Sequence, residues 1–376
     1  MNDIYCRIFP ARRCSVKNLT YSLQSVRNIA PGENNPRNSE GDFLRLSDGR
    51  IIFAYTRFYG DSYSDHAPCD IAALYSADGG LTWSESERII ARAERHGVKN
   101  IMSVTLHRFE NGDAGLFYLA KNADATIDMY LLRSRDDFES FYTCIHVLPE
   151  RFRGYYVVNN CRIERAGSGR LIIAAALHRS AADENGDFYF DGRASAYFYY
   201  SDDDGFTWRE SVGMITMPTP CCSDTGLQEP GVSELPGGAL YAYMRTDLKT
   251  QYESISADGG AHWTPAQPSR FTSPASPMKI ARNPWSGIYY AVHNPADGCA
   301  GRDTSISWGR APLIIEASEN GVDYKYLAEV DDDPVRGFCY PAIFFADEHT
   351  MLISYCSGGR EDKCCLSRTT IISVKI

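Results

Sequence analysis

In the stretch LQEPGVSELPGGALYAYMR, Glu229 and Arg245 stand sixteen residues apart. An apolar run, a Gly-Gly turn and a second apolar run lie between them. This hairpin pattern brings the chain back to the end it started from, so both side chains can face one pocket. A guanidinium fork matches a carboxylate, and the pair can therefore serve an acidic ligand. The net charge of the chain is −10, so an anion must be met by a local cluster of Arg working against the overall field. Other catalytic signatures are missing. The sequence holds no HExxH, no clustered His, no GxGxxG and no P-loop, and its eight His are scattered. No metal or cofactor is expected.

The elements that must position such a pocket follow from composition and repeats. The 376 residues are 44% hydrophobic and 12% aromatic, with 24 Tyr, 30 Gly and 18 Pro. Aromatic-rich runs broken by frequent turns indicate an all-β chain. With no basic run, nucleic acid and anionic membrane surfaces are poor partners. No window of about 18 apolar residues is present to span a membrane. The opening stretch MNDIYCRIFPARRCSVKNLTY lacks an apolar leader core. A cytoplasmic location is therefore expected, or a periplasmic or secreted one if a leader has been trimmed. The twelve Cys include two adjacent pairs, Cys221/Cys222 and Cys364/Cys365, and no zinc-type spacing. They read as reduced, mostly buried thiols. Oligomeric state is not legible.

Three stretches repeat one pattern: YSADGGLTW at Tyr75–Trp83, YSDDDGFTW at Tyr200–Trp208 and ISADGGAHW at Ile255–Trp263. Two eroded copies begin at Ser134 and Ser318. The five Ser are then 58, 67, 55 and 62 residues apart. A period near sixty suits a four-stranded sheet with its loops. Each copy follows an apolar run, and a strand–turn–strand signal lies upstream of each, as in RLSDGRIIFAYTR. A last hairpin, AIFFADEHTMLISYC, and a final strand, RTTIISVKI, lack the motif. Strand material near Tyr21–Ile29 is expected to complete that sheet and so remove an exposed edge. Within the motif, Asp accepts local N–H groups, Gly allows positive φ and Trp plugs the turn. The motif reads as a folding staple and not as catalytic. With no linker in view, residues 1–376 read as one domain.

These boxes, with their spacing, resemble the Asp-box repeats of the sialidase (neuraminidase) superfamily. The resemblance covers roughly residues 37–360 and implies an all-β, six-bladed β-propeller built from four-stranded antiparallel blades. It also implies an exo-acting glycoside hydrolase whose partner is a sialylated or other acidic glycan. Such an enzyme grips the sugar carboxylate with Arg, and the substrate's own charge disfavours a carboxylate nucleophile. Sialidases use Tyr with a Glu base. On this resemblance, Asp65, five residues before Asp70 in SDHAPCDIAALYSADGG, is the general acid/base. Glu229 is the base partner, and Tyr340 in GFCYPAIFF is the nucleophile. Arg37, Arg245 and Arg310 are the carboxylate clamp, Arg57 is a second pocket Arg, and His66 touches substrate or tunes Asp65. Glu234, mid-hairpin, is structural. Two departures stand out. PRNSEG replaces the usual Arg-Ile-Pro around Arg37, and Cys356 stands where family members often carry a Glu that steadies the first Arg. They leave two alternatives open: a propeller glycosidase for another sugar (Kdn, Kdo or an arabinan end), and a non-catalytic glycan-binding propeller.

Overall fold

The computed structural model describes residues 21–123, 126–148, 154–182, 184, 188–296 and 307–376. The N-terminal stretch behind the cytoplasmic expectation, residues 1–20, lies outside them. The described residues form strands joined by turns and short 3₁₀ segments, with no α-helix and no helix long and apolar enough to cross a membrane.

The strands pair in sequence order into antiparallel stacks. One four-stranded sheet holds Asn38–Arg45, Ile51–Phe58, Cys69–Ser76 and Arg88–Ala91. A second spans Gln228–Thr272 and a third Lys279–Asp331, each in the same up-and-down order. A nine-stranded sheet contains two such stacks, 101–146 and 163–210, bridged by the short strand Tyr155–Val157. The last sheet is closed from both ends of the chain. Ser22–Ile29 pairs with Thr369–Lys375, which lies beside Thr350–Cys356 and Cys339–Asp347. The expected completion of the final sheet is therefore present.

Several first strands contact the first strands of neighbouring stacks. Asn38–Arg45 touches both Ile101–Arg108 and Cys339–Asp347, while Gln228–Glu234 touches Lys279–Arg282, which in turn touches Cys339–Asp347. The cores lie between sheets. Ile52, Ala54, Ile71 and Ala73 of one sheet pack with Val104, Leu116 and Tyr118 of the next, as expected for strands apolar on both faces.

All five boxes are intact as turns. Ser76 Oγ donates to Asp78 at 2.8 Å and accepts from Gly80 N, while Asp78 accepts from Thr82 N at 2.9 Å and Thr82 Oγ1 at 2.7 Å. The copy at Ser134 keeps the network through Asp136 and Ser140, and the copy at Ser318 substitutes Asn320. The Trp does more than plug its own turn. Trp83 Nε1 donates to Gly80 O, but the rings of Trp208 and Trp263 pack on Phe117 and Phe198 of the preceding stack. The box thus fastens neighbouring stacks together. A Cβ at Gly80, where φ is +94°, would lie 2.4 Å from Leu352 of the last sheet, so only Gly fits there.

Candidate active site

Four first strands share one irregularity. Glu40, Ser103, Glu229 and Tyr340 each have positive φ (51°, 60°, 49° and 55°) and sit where the pairing with the second strand skips. Such bulges re-aim a side chain. Pro230 and Pro341 follow two of them, at positions where a ladder donor is not needed. All four bulge residues line one cavity of about 220 Å³. Its other walls include Asp65, Lys121, Asn159, His178, Phe190 and Arg245.

Tyr340 and Glu229 come from strands 111 residues apart. The phenol donates to Glu229 Oε1 at 2.6 Å, and Arg245 donates to Oε2 at 2.8 Å. The hairpin pairing Gln228 with Arg245 brings the last two together. Burial pushes the Glu229 carboxyl up, but Arg245 and Arg310 outweigh it and hold it below its usual range. Burial, followed by the Glu229 charge, raises the Tyr340 phenol well above its ordinary value. At neutral pH the pair is therefore a neutral phenol on an ionised carboxylate.

Arg37 precedes its strand as expected and is 1% exposed. It donates to Asp65 at 2.5 Å, Glu40 at 3.1 Å, Ser39 at 2.9 Å and the Tyr63 carbonyl at 3.2 Å, and it lies 4.4 Å from the Phe58 ring centroid. The carboxylate missing at Cys356 is thus supplied by Glu40, three residues from Arg37. Burial lifts the Glu40 carboxyl to about 6 against the pull of Arg37. Asp65 itself is half exposed. Desolvation raises its carboxyl, but Arg37, Lys121 and His66 together hold it below the usual range. Its carbonyl accepts from Lys121 Nζ at 2.6 Å and Asn100 Nδ2 at 3.1 Å, which anchors the loop.

Arg310 is buried behind Tyr340, 5.7 Å from its ring centroid. It donates to the Cys339 sulfur at 3.3 Å and, more weakly, to the Ala275 carbonyl. Of the three expected clamp arginines, Arg245 lines the cavity, while Arg37 and Arg310 stand just behind it. Neither Arg57 nor His66 is a wall residue. Arg57 does not face the cavity. At its strand end it reaches outward to an ion pair with Glu87 and stacks over Tyr59. His66 is exposed and is not a wall residue, though its charge is felt by Asp65. Glu234 is structural as expected, holding Gly167 N at the other end of its strand.

Sequence reasoning missed Glu40, Lys121, Asn159, His178 and Phe190. A polar residue just inside the first strand of each repeat was the available signal for Glu40. The nine described cysteines are free, and Cys69, Cys161, Cys339, Cys356 and Cys365 are buried.

Among solved structures the fold has clear counterparts. A Dyadobacter fermentans protein of unknown function shares 17% identity over 94% of this chain and 99% of its own, with a TM-score of 0.66. The NanB sialidase of Streptococcus pneumoniae shares 13% over 94% and 70%, at 0.67. The Trypanosoma rangeli sialidase bound to the inhibitor DANA shares 16% over 95% and 59%, at 0.66. At such identities the likeness carries the fold. No curated protein matches the sequence. The model of the BNR repeat-like domain matches residues 57–353, most of the chain, and this protein belongs to that family.

Proposed function

We propose that the chain is a single domain, a six-bladed β-propeller of the sialidase type, and that it acts as an exo-glycosidase on a terminal acidic sugar. The blade count is supported by four separate four-stranded sheets and a nine-stranded sheet that divides into two more stacks. The activity rests above all on the Tyr340–Glu229–Arg245 chain, in which a phenol 2.6 Å from an ionised carboxylate has a base ready for its proton. Such a pair is the nucleophile arrangement suited to a sugar that carries its own carboxylate.

In this reading the acidic sugar draws Arg37 off Asp65, whose carboxyl then takes up a proton and passes it to the glycosidic oxygen, while Glu229 takes the Tyr340 proton and the phenolate attacks the anomeric carbon. Asp65 then activates the water that releases the sugar with net retention. Arg245 meets the sugar carboxylate, joined by Arg37 and Arg310 as the ligand displaces their present partners. Asn159, buried in the wall with its amide nitrogen unpartnered, is a further donor. Release of an aryl aglycone from an aryl sialoside tests the proposal, and wild-type-like turnover by Tyr340→Phe would remove the tyrosine from it.

One observation favours a second reading. Four donors of Arg37 are committed to protein acceptors, and Arg310 is screened by Tyr340. A preformed triple clamp is therefore absent, and the same machinery suits a sugar whose carboxylate is gripped less tightly, or a neutral one. Comparing release from sialyl, Kdn and neutral arabinosyl glycosides separates the two.

A further inference from the structure

The hairpin of Leu171–Ala182 and Phe188–Ser201 has strands of 12 and 14 residues, the longest among the described residues. Pairing continues past a bulge near Asp191, with Ser180 opposite Phe190 and Ala181 opposite Tyr189. This extension carries Phe190 to the cavity wall, yet leaves it 41% exposed. A large apolar ring at the rim of a polar cavity offers an apolar surface to a ligand.

The ring is held in place. Its centroid lies 4.8 Å from the His178 ring, nearly parallel, and 5.0 Å from the Tyr155 ring, edge-on. His178 Nδ1 lies 3.1 Å from the Asp191 carbonyl. Since a carbonyl only accepts, Nδ1 carries the proton, and burial keeps the imidazole neutral. Nε2 is then an acceptor. The Asp191 carboxylate is fixed in turn by Arg193 and Arg179.

This wall abuts the Asp65 loop. Lys121 Nζ donates both to the Asp65 carbonyl at 2.6 Å and to Tyr155 Oη at 3.3 Å. If Asp65 protonates the bridging oxygen, whatever lies beyond that oxygen departs on the Asp65 side, toward Tyr155 and Phe190. Hexose rings present a C–H face that packs on an aromatic ring and a rim of hydroxyls that need polar partners. We infer that Phe190 and Tyr155, with His178 behind them, form a subsite for the leaving-group sugar, a neutral hexose packed on the exposed part of the Phe190 ring. This rests on the glycosidase reading above.

The test compares kcat/KM for α2,3-sialyllactose and for methyl α-sialoside, which has no leaving sugar. Phe190→Ala and Phe190→Leu should lower the ratio of the two about 10-fold, the value of one aromatic stacking contact. Tyr189→Ala, on the opposite face of the strand, should leave it unchanged. An unaltered ratio in both Phe190 variants overturns the subsite. If neither sialoside is cleaved, the sialidase reading fails, and the subsite is judged by saturation-transfer NMR with lactose. A wild-type signal that Phe190→Leu abolishes upholds it, and no wild-type signal overturns it.

Discussion

The box turns and the cavity both hold carboxylate networks, exposed in the boxes and mostly buried in the cavity, and they are wired in opposite ways. Asp78, Asp136, Asp203 and Asp258 accept hydrogen bonds from residues two to four positions away. Glu40, Asp65 and Glu229 are held by partners up to 111 residues distant. In the boxes local donors dominate, and the Asp78 carboxyl is drawn down to about 2 although desolvation acts against it. In the cavity burial wins at Glu40, whose carboxyl rises to about 6. Ionisation stabilises the boxes, and it is favoured at Asp65 and Glu229 too, where distant arginines hold the carboxyls down, but it carries a cost at Glu40, as sites organised for chemistry do.

That contrast predicts which substitutions abolish activity and which loosen the fold. Tyr340→Phe should reduce turnover of an aryl sialoside by about 10³-fold or more, with the melting temperature within a few degrees of wild type. Asp65→Asn should cost about 10²- to 10³-fold on substrates with poor leaving groups and less on activated aryl glycosides. A uniform loss across leaving groups would mean that Asp65 is not the acid.

The pH dependence of stability should differ in sign. Glu40 has a folded value of about 6 against 4.5 unfolded, so its contribution is present below 4.5 and is lost as pH rises through 6. The loss is about 2 kcal/mol. Melting of wild type and Glu40→Gln between pH 4 and 6.5 measures it, and the variant should have the flatter profile. Asp78 behaves inversely, since its contribution is present above 3.8 and lost as pH falls toward 2. Asp78→Asn should cost roughly 1 kcal/mol of stability and leave kcat unchanged. A change in kcat would break the division between the two regions.

The same contrast explains what could be read from the sequence. A box needs only residues within one turn, so even the eroded copies at Ser134 and Ser318 were recognisable. The Glu229–Arg245 pair was legible because one hairpin joins it. Tyr340 and Asp65 needed the family resemblance, since nothing local sets a phenol beside Glu229. Arg57 misled because the end of a strand does not reveal which way its last side chain turns, and here Glu87 draws it outward. Glu40 escaped notice because a bulge inverts the alternation that would have assigned its direction. Lys121, His178 and Phe190 lie away from any motif, and the length of the hairpin that carries the last two emerges only from the pairing.

The seam that closes the last sheet also has a mechanical consequence. Ser22 lies opposite Lys375, and Ile29 lies opposite Thr369. A force drawing Ser22 and Lys375 apart loads the rungs of this antiparallel ladder one after another, because they are stacked along the direction of opening. The seam would then unzip at low tension, whereas a pull along the strands would have to shear every rung at once.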